Sequence, residues 1–202
     1  MTHTIGIFVF DQVEVLDFTG PYEVFTTATR VHKRVTGAAE PLFDVVTIAA
    51  STNPITARAG LRVMPDFSIA WHPRLDCLVV PGGIVTDELE KANVIEWIAA
   101  QAKQATLAAS VCTGAFLLAK AGALDGRVAT THWEDIDDLR SMFPALDVRH
   151  DVRWVDQSNV VTSAGISAGI DMSLHLVERL AGRHIAERTA RQMEFDWVEN
   201  PR

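Results

Sequence analysis

Along the chain, short apolar runs alternate with longer segments in which apolar residues recur every three or four positions. The runs are residues 4–10 (TIGIFVF), 43–49 (FDVVTIA), 75–80 (LDCLVV) and 106–111 (TLAASV). Short, dominantly apolar and mostly β-branched, they read as buried strands. Between the first two, Gly20 as N-cap, Pro21 at the first helical position and Glu23 predict a helix running to about Arg30. Residues 87–104 place Leu89, Ala92, Ile95, Ile98 or Ala99, and Ala102 on one face of an amphipathic helix. In residues 169–181, Ile170, Leu174, Val177 and Ala181 share a face that Met172, Leu176 and Leu180 widen. That helix should be buried around much of its circumference.

Strands alternating with helices imply parallel pairing, with crossovers covering both faces of one sheet. Two departures are expected. Short runs at Ile55–Ala57 and Leu61–Met64, within a polar, Pro- and Gly-containing stretch, predict a hairpin at the sheet edge. Val148–Val155 and Val160–Thr162, separated by Gln157-Ser158-Asn159, predict an antiparallel pair. The tail from Ala186 to Arg202 is charged and weakly periodic, which suits a surface helix or an oligomer contact. No repeat, low-complexity tract or linker interrupts residues 1–202, so a single α/β domain is expected.

Composition narrows this further. The 202 residues, 48% hydrophobic and 22% charged, are enough to bury about 70% of the unfolded surface. Disorder and a disulfide-built miniprotein are therefore excluded. Eighteen basic against 26 acidic residues give a net charge of −8, which disfavours nucleic acid as a partner. The opening residues lack the basic-then-apolar pattern of a signal peptide, and no uninterrupted apolar stretch approaches a membrane span. Two cysteines, Cys77 and Cys112, suit reduced thiols better than a disulfide. A cytoplasmic protein with no membrane partner is expected.

Four segments offer chemistry. In ASVCTGAFLLAK (residues 109–120) an apolar strand ends at Val111, Cys112 follows, and Thr113-Gly114 leads into an apolar helix. This is the strand–turn–helix plan of a nucleophile elbow. Amides and a helix N-terminus there should lower the thiol pKa. Alternatively Cys112 is a small buried apolar residue, the reading that fits Cys77 in mid-strand. Asp17, in VLDFTGP, has apolar neighbours that should raise its pKa; it reads either as an acid facing the sulfur or as a helix cap. Gly82 and Gly83 could offer amides to an anion, or serve turn geometry alone. Gly165 and Ile166 could line a pocket, or permit close helix–sheet packing. The seven histidines (3, 32, 72, 132, 150, 175, 184) are scattered singly, so no metal site is expected.

Together these segments resemble the ThiJ/PfpI superfamily of class I glutamine-amidotransferase-like folds. VCTGAFLLAKAGALDGRVATTHW (111–133), LDFTGPYEVF (16–25), VVPGG (79–83) and AGISAGID (164–171) stand in the order seen in its isocyanide hydratase branch and in AraC-type regulators. The resemblance implies a flavodoxin-like three-layer sandwich, a homodimer, and no metal or organic cofactor. It implies Cys112 as nucleophile, Asp17 as its acid partner, Thr113 as a supporting side chain, and the backbone at Gly83 and Ile166 as pocket lining, beside which the residues themselves place Gly82 and Gly165. The proteases of the superfamily place a histidine directly after the cysteine; here Thr113 stands there, so a Cys–His protease is not expected and no histidine is assigned a role. Helix-turn-helix segments like those of the regulators are not expected either. The implied reaction is hydration of an isocyanide to an N-substituted formamide, with isocyanide and water as small-molecule partners. The alternatives are a glyoxalase- or deglycase-like activity on small dicarbonyls, and a redox- or ligand-sensing protein whose cysteine is oxidised.

Overall fold

The computed structural model describes residues 2–199. Its centre is a seven-stranded sheet. Six strands run parallel: β1 (His3–Phe8), β2 (Phe43–Ala49), β5 (Phe67–Ser68), β6 (Cys77–Val80), β7 (Leu107–Val111) and β11 (Val160–Ser163). The seventh, β10 (Trp154–Gln157), is antiparallel to β11 at one edge. The order is β10-β11-β7-β6-β1-β2-β5. Every residue of β6 and β7 is buried, which is why these strands read as continuous apolar runs. Cys77 lies in this core, fully buried, with its thiol pushed up to about 12 chiefly by burial.

Helices cover both faces. One group is α1 (Val15–Thr36), α6 (Ala168–Ala181) and α7 (Arg183–Gln192), packed on one another. The other is α2 (Thr86–Leu89), α3 (Ala92–Gln104) and α4 (Gly114–Lys120), packed on β6 and β7. The flavodoxin-like arrangement is therefore as expected. From β1 the chain turns to β2 on one side and then to β6 on the other, a topological switch point. Open α/β sheets form their crevice at the carboxyl ends of strands flanking such a point.

Several boundaries differ from the sequence reading. Gly20 is not an N-cap: α1 begins two turns earlier, with Glu14 as cap and Pro21 inside the helix. Proline is favoured at a first helical position; at the seventh, Pro21 has no amide to donate back to the Asp17 carbonyl. Gly20 instead allows a close approach to α6, since a Cβ there would stand 3.0 Å from Ile170 Cγ1. The expected 87–104 helix breaks at Lys91, which is extended, so α2 and α3 are separate. The hairpin of β3 (Ile55–Thr56) and β4 (Arg62–Val63) exists but forms its own two-stranded sheet; β5 takes the edge beside β2.

Val148 does not join the antiparallel pair. It lies in β9 (Asp147–Val148), parallel to β8 (Val128–Ala129), with α5 (Ile136–Met142) between them in the chain. The charged tail is not purely superficial, because Ile185, Ala186, Thr189 and Ala190 of α7 are buried. Residues 200–202 of that expected element lie outside the described residues. Among the described residues, no helix is long and apolar enough to cross a membrane.

Candidate active site

The parallel strands β1, β6, β7 and β11 deliver their following residues to one edge of the sheet, and the four segments singled out above meet there. Cys112 directly follows β7 with φ of 55°, a left-handed conformation that is costly for a residue bearing a Cβ. The turn is held from three sides. The Cys112 amide donates to Ser163 O at 3.2 Å, Thr131 Oγ1 donates to Cys112 O at 2.8 Å, and Ala115 N donates to the same carbonyl at 3.3 Å. Gly114 lets α4 begin at once, since a Cβ there would fall 2.0 Å from Val80 O. The expected nucleophile elbow is formed.

Asp17 lies in the first turn of α1 with no solvent exposure. Its Oδ2 accepts the Gly82 amide at 3.0 Å, while Oδ1 is buried without a hydrogen-bond partner. Burial raises its pKa to about 7; the Gly82 amide opposes this, the charge of Glu14 adds to it, and the Cys112 thiol interacts with the same carboxyl. The thiol does not behave as the helix N-terminus alone would dictate. Burial pushes it up, and the charge of Asp17 pushes it further, outweighing the help of the Thr113 amide and hydroxyl. Two groups that each resist carrying a charge so close together keep one proton between them once pH exceeds about 7, with the sulfur the stronger base.

The glycines serve geometry more than anion binding. The Gly82 amide is engaged by Asp17, and the Gly83 amide donates to Thr113 Oγ1 at 2.9 Å. The same hydroxyl donates to Gly83 O at 2.9 Å, so Thr113 clamps this loop beside the thiol. Gly83 has φ of 138°, and a Cβ there would stand 2.3 Å from Gln12 O. Neither amide is therefore free for an incoming anion. Gly165 brings bare backbone against the sulfur, because its Cβ would lie 3.1 Å from Cys112 Sγ. Ile166 lies exposed beside it at the pocket mouth.

The pocket over Cys112 has a volume of about 220 Å³ and contains side chains that the sequence reading passed over. One of them is His132, a histidine to which the sequence reading gave no role. A Cβ on Gly165 would meet His132 Cδ2 at 2.3 Å on the same side as the sulfur, so imidazole and thiol are neighbours. His132 Nδ1 faces Asp135 Oδ2 at 3.3 Å. Glu14 and Arg58, 3.1 Å apart as an ion pair, close another side, and Glu134 completes the rim. His132 follows Thr130 and Thr131, both buried, inside the 111–133 block already tied to the elbow; its place in that block was the signal the sequence offered. Among the described residues no group of three or more acidic, histidine or cysteine side chains is arranged to hold a metal.

Comparison with known proteins adds to this geometry. Residues 3–179 match the DJ-1/PfpI family. An isonitrile hydratase of Pseudomonas putida is 36% identical over 196 residues, covering 96% of this chain and 79% of its own. The HTH-type transcriptional regulator GbdR of Pseudomonas aeruginosa is 27% identical over 197 residues, and the chain spans 52% of that regulator's length. A crystal structure of a ThiJ/PfpI family protein from Pseudomonas syringae superposes with a TM-score of 0.85 at 29% identity, over 98% of this chain and 77% of that one. Drosophila melanogaster DJ-1beta, at 20% identity, gives 0.81 over 98% of this chain and all of its own, a likeness of fold.

Proposed function

The chain belongs to the DJ-1/PfpI family, and from that premise we propose that it hydrates isocyanides to N-substituted formamides through a thioimidate on Cys112. The observation that carries the reading is the buried Asp17 carboxyl, titrating near pH 7, with an unpartnered Oδ1 beside a thiol set on an elbow. The similarity to an isonitrile hydratase supports the same reaction.

The reacting form has the shared proton on Asp17 and the negative charge on sulfur. The thiolate adds to the terminal carbon of R–N≡C, and Asp17 delivers its proton to that carbon. This leaves R–N=CH–S–Cys112 and an ionised Asp17. Asp17 then takes a proton from water as the oxygen adds to the same carbon, and passes that proton to nitrogen. In the resulting R–NH–CH(OH)–S–Cys112, the C–S bond breaks, the hydroxyl proton returns to Asp17, and R–NH–CHO leaves. One carboxyl acts as acid and base in turn because the second half-reaction returns the proton that the first consumes. Thr113 and Gly82 act by position, the first clamping the Gly83 loop and the second holding Oδ2.

The test is turnover of a chromophoric aryl isocyanide. Cys112→Ala should reduce kcat by about 10³-fold or more, and Asp17→Asn should do so as well. Intact-mass analysis during turnover should show protein carrying the added mass of one isocyanide, lost with Cys112→Ala. Full turnover by Cys112→Ala would refute the proposal.

A second reading is favoured by His132 with its carboxylate partner beside the thiol, a pairing able to shuttle protons on a carbonyl substrate. Loss of methylglyoxal faster than loss of isocyanide would select that reading.

A further inference from the structure

The pocket over Cys112 is small and rimmed by Glu14, Arg58, His132, Glu134 and Asp135. It suits the isocyanide group and a water better than a bulky apolar substituent, so most of the substrate must extend elsewhere. Two larger cavities lie nearby. One, of about 490 Å³, is lined by Trp133, Arg140, His150 and Arg153 among others, and shares no lining residue with the nucleophile pocket. The other, of about 430 Å³, shares Gly83, Thr113 and Asp135 with it and so adjoins it.

That adjoining annex lies between the loop after β6 and helix α5. Its walls are Ile84, Val85, Leu89, Phe116 and Met142. Ile84 and Met142 are 50% and 54% exposed, apolar surface left uncovered beside a reactive thiol. The polar edge carries Asp135 and Asp138. Asp138 acts on Asp135 as a like charge, and the nearest cation-capable group to Asp135 is His132, which serves the other pocket. No basic side chain lines this annex among the described residues. Its field is therefore negative over an apolar floor, which favours a neutral or cationic group and repels an anion.

We propose that this annex receives the nitrogen substituent of the substrate, and that the substrates are isocyanides bearing an aryl or branched alkyl group that is neutral or ends in an ammonium, carboxylate-bearing isocyanides being excluded. The inference rests on the isocyanide reading for its chemistry, while the cavity and its charge are independent of it.

The experiment compares kcat/KM for methyl isocyanide, benzyl isocyanide, and benzyl isocyanides carrying a distal aminomethyl or a distal carboxylate. In the wild type the aminomethyl and plain benzyl compounds should exceed the carboxylate by at least about tenfold. Met142→Ala or Ile84→Ala should lower the benzyl-to-methyl ratio by about tenfold, the scale of discrimination by a few methylenes in an apolar pocket. Asp138→Asn should shrink the ammonium-to-carboxylate ratio, and Asp138→Lys should invert it. In parallel, calorimetry with Cys112→Ala reads binding of the aminomethyl-substituted benzyl formamide, with and without Asp138→Asn.

Turnover of every isocyanide with ratios indifferent to these substitutions overturns the annex and leaves the hydratase intact. No turnover, with formamide binding that weakens on Asp138→Asn, overturns the hydratase and upholds the annex. Neither turnover nor binding overturns both.

Discussion

At the scale of single residues, the site is defined by a carboxyl and a thiol that burial prevents from both being charged. Asp17 has a pKa of about 7 in the folded protein against 3.8 for the free side chain. Between those values the folded chain binds more protons at Asp17 than the unfolded chain does, so raising pH through this window favours unfolding. Below about pH 4 both states are protonated and this contribution is fully present. Above about pH 7 both are ionised and the loss is complete, at no more than about 4 kcal/mol given about 1.4 kcal/mol per pKa unit. Asp17→Asn carries no such charge. Urea unfolding of wild type and Asp17→Asn from pH 4 to 8 should therefore show wild-type stability falling relative to the variant, with most of the divergence between about pH 4 and 7. Parallel curves would mean that Asp17 is not held protonated by burial. For turnover, the reacting pair carries one proton, so kcat/KM should rise as pH passes about 7 and the doubly protonated pair loses its first proton.

At the scale of elements, the strands were the most legible part of the sequence, because β6 and β7 are buried on both faces and so are written in apolar residues. Helix ends were less legible. Pro21 suits a helix start as well as an early interior position, so the true start of α1 was hidden, and Asp17 was read as preceding the helix that contains it. The elbow was legible because its steric demands select residue types: a small reactive residue at the strand end, then a glycine. Gly114 illustrates the demand. A Cβ there would lie 2.0 Å from the Val80 carbonyl oxygen, and backbone on both sides leaves nothing flexible to yield. Gly114→Ala should push α4 from β6 and destabilise the protein by about 2–3 kcal/mol, the range for overpacking. Gly20→Ala makes the contrast. Its Cβ would meet side chain rather than backbone, Ile170 Cγ1 at 3.0 Å, and alanine gains helix propensity, so the net change should stay within about 1 kcal/mol. Denaturant midpoints measured side by side decide the matter; equal losses at the two glycines would refute the steric account.

At the scale of the whole molecule, the site is a convergence of segments far apart in the chain, which limits what any local pattern could reveal. Asp17, Gly82, Cys112 and Gly165 were legible because each follows a parallel strand, and parallel strands share a carboxyl edge. His132, Asp135, Glu14 and Arg58 were not, because they sit at element ends and turns, where a polar side chain looks like any solvated one. A similar convergence lies behind α6 and gives the last prediction. Buried Asp171 accepts the Val198 amide at 2.7 Å through Oδ1 and forms an ion pair with Arg153 through Oδ2, while Trp197 Nε1 donates to its carbonyl at 3.2 Å. Arg183 covers the Trp197 ring at 5.0 Å and pairs with Glu199 at 2.7 Å. The Arg153 carbonyl in turn accepts the Ala164 amide at 2.9 Å, next to Gly165 at the thiol. One carboxylate thus joins the C-terminal segment, the strand β10 approach and the loop that backs Cys112. Removing it leaves Arg153 partly uncompensated and the Val198 amide without its acceptor; Arg153 is partly solvated, so the cost should fall somewhat below the 3–5 kcal/mol of a fully buried pair, at about 2–3 kcal/mol. Asp171→Ala should show that loss in denaturant unfolding. It should also speed hydrogen exchange at Val198, because that amide loses its acceptor. If exchange at Val198 were unchanged while global stability fell, the C-terminal segment would be held by Arg183 and Trp197 rather than by Asp171, and the coupling from tail to active-site loop would run through the helix pair α6–α7 instead.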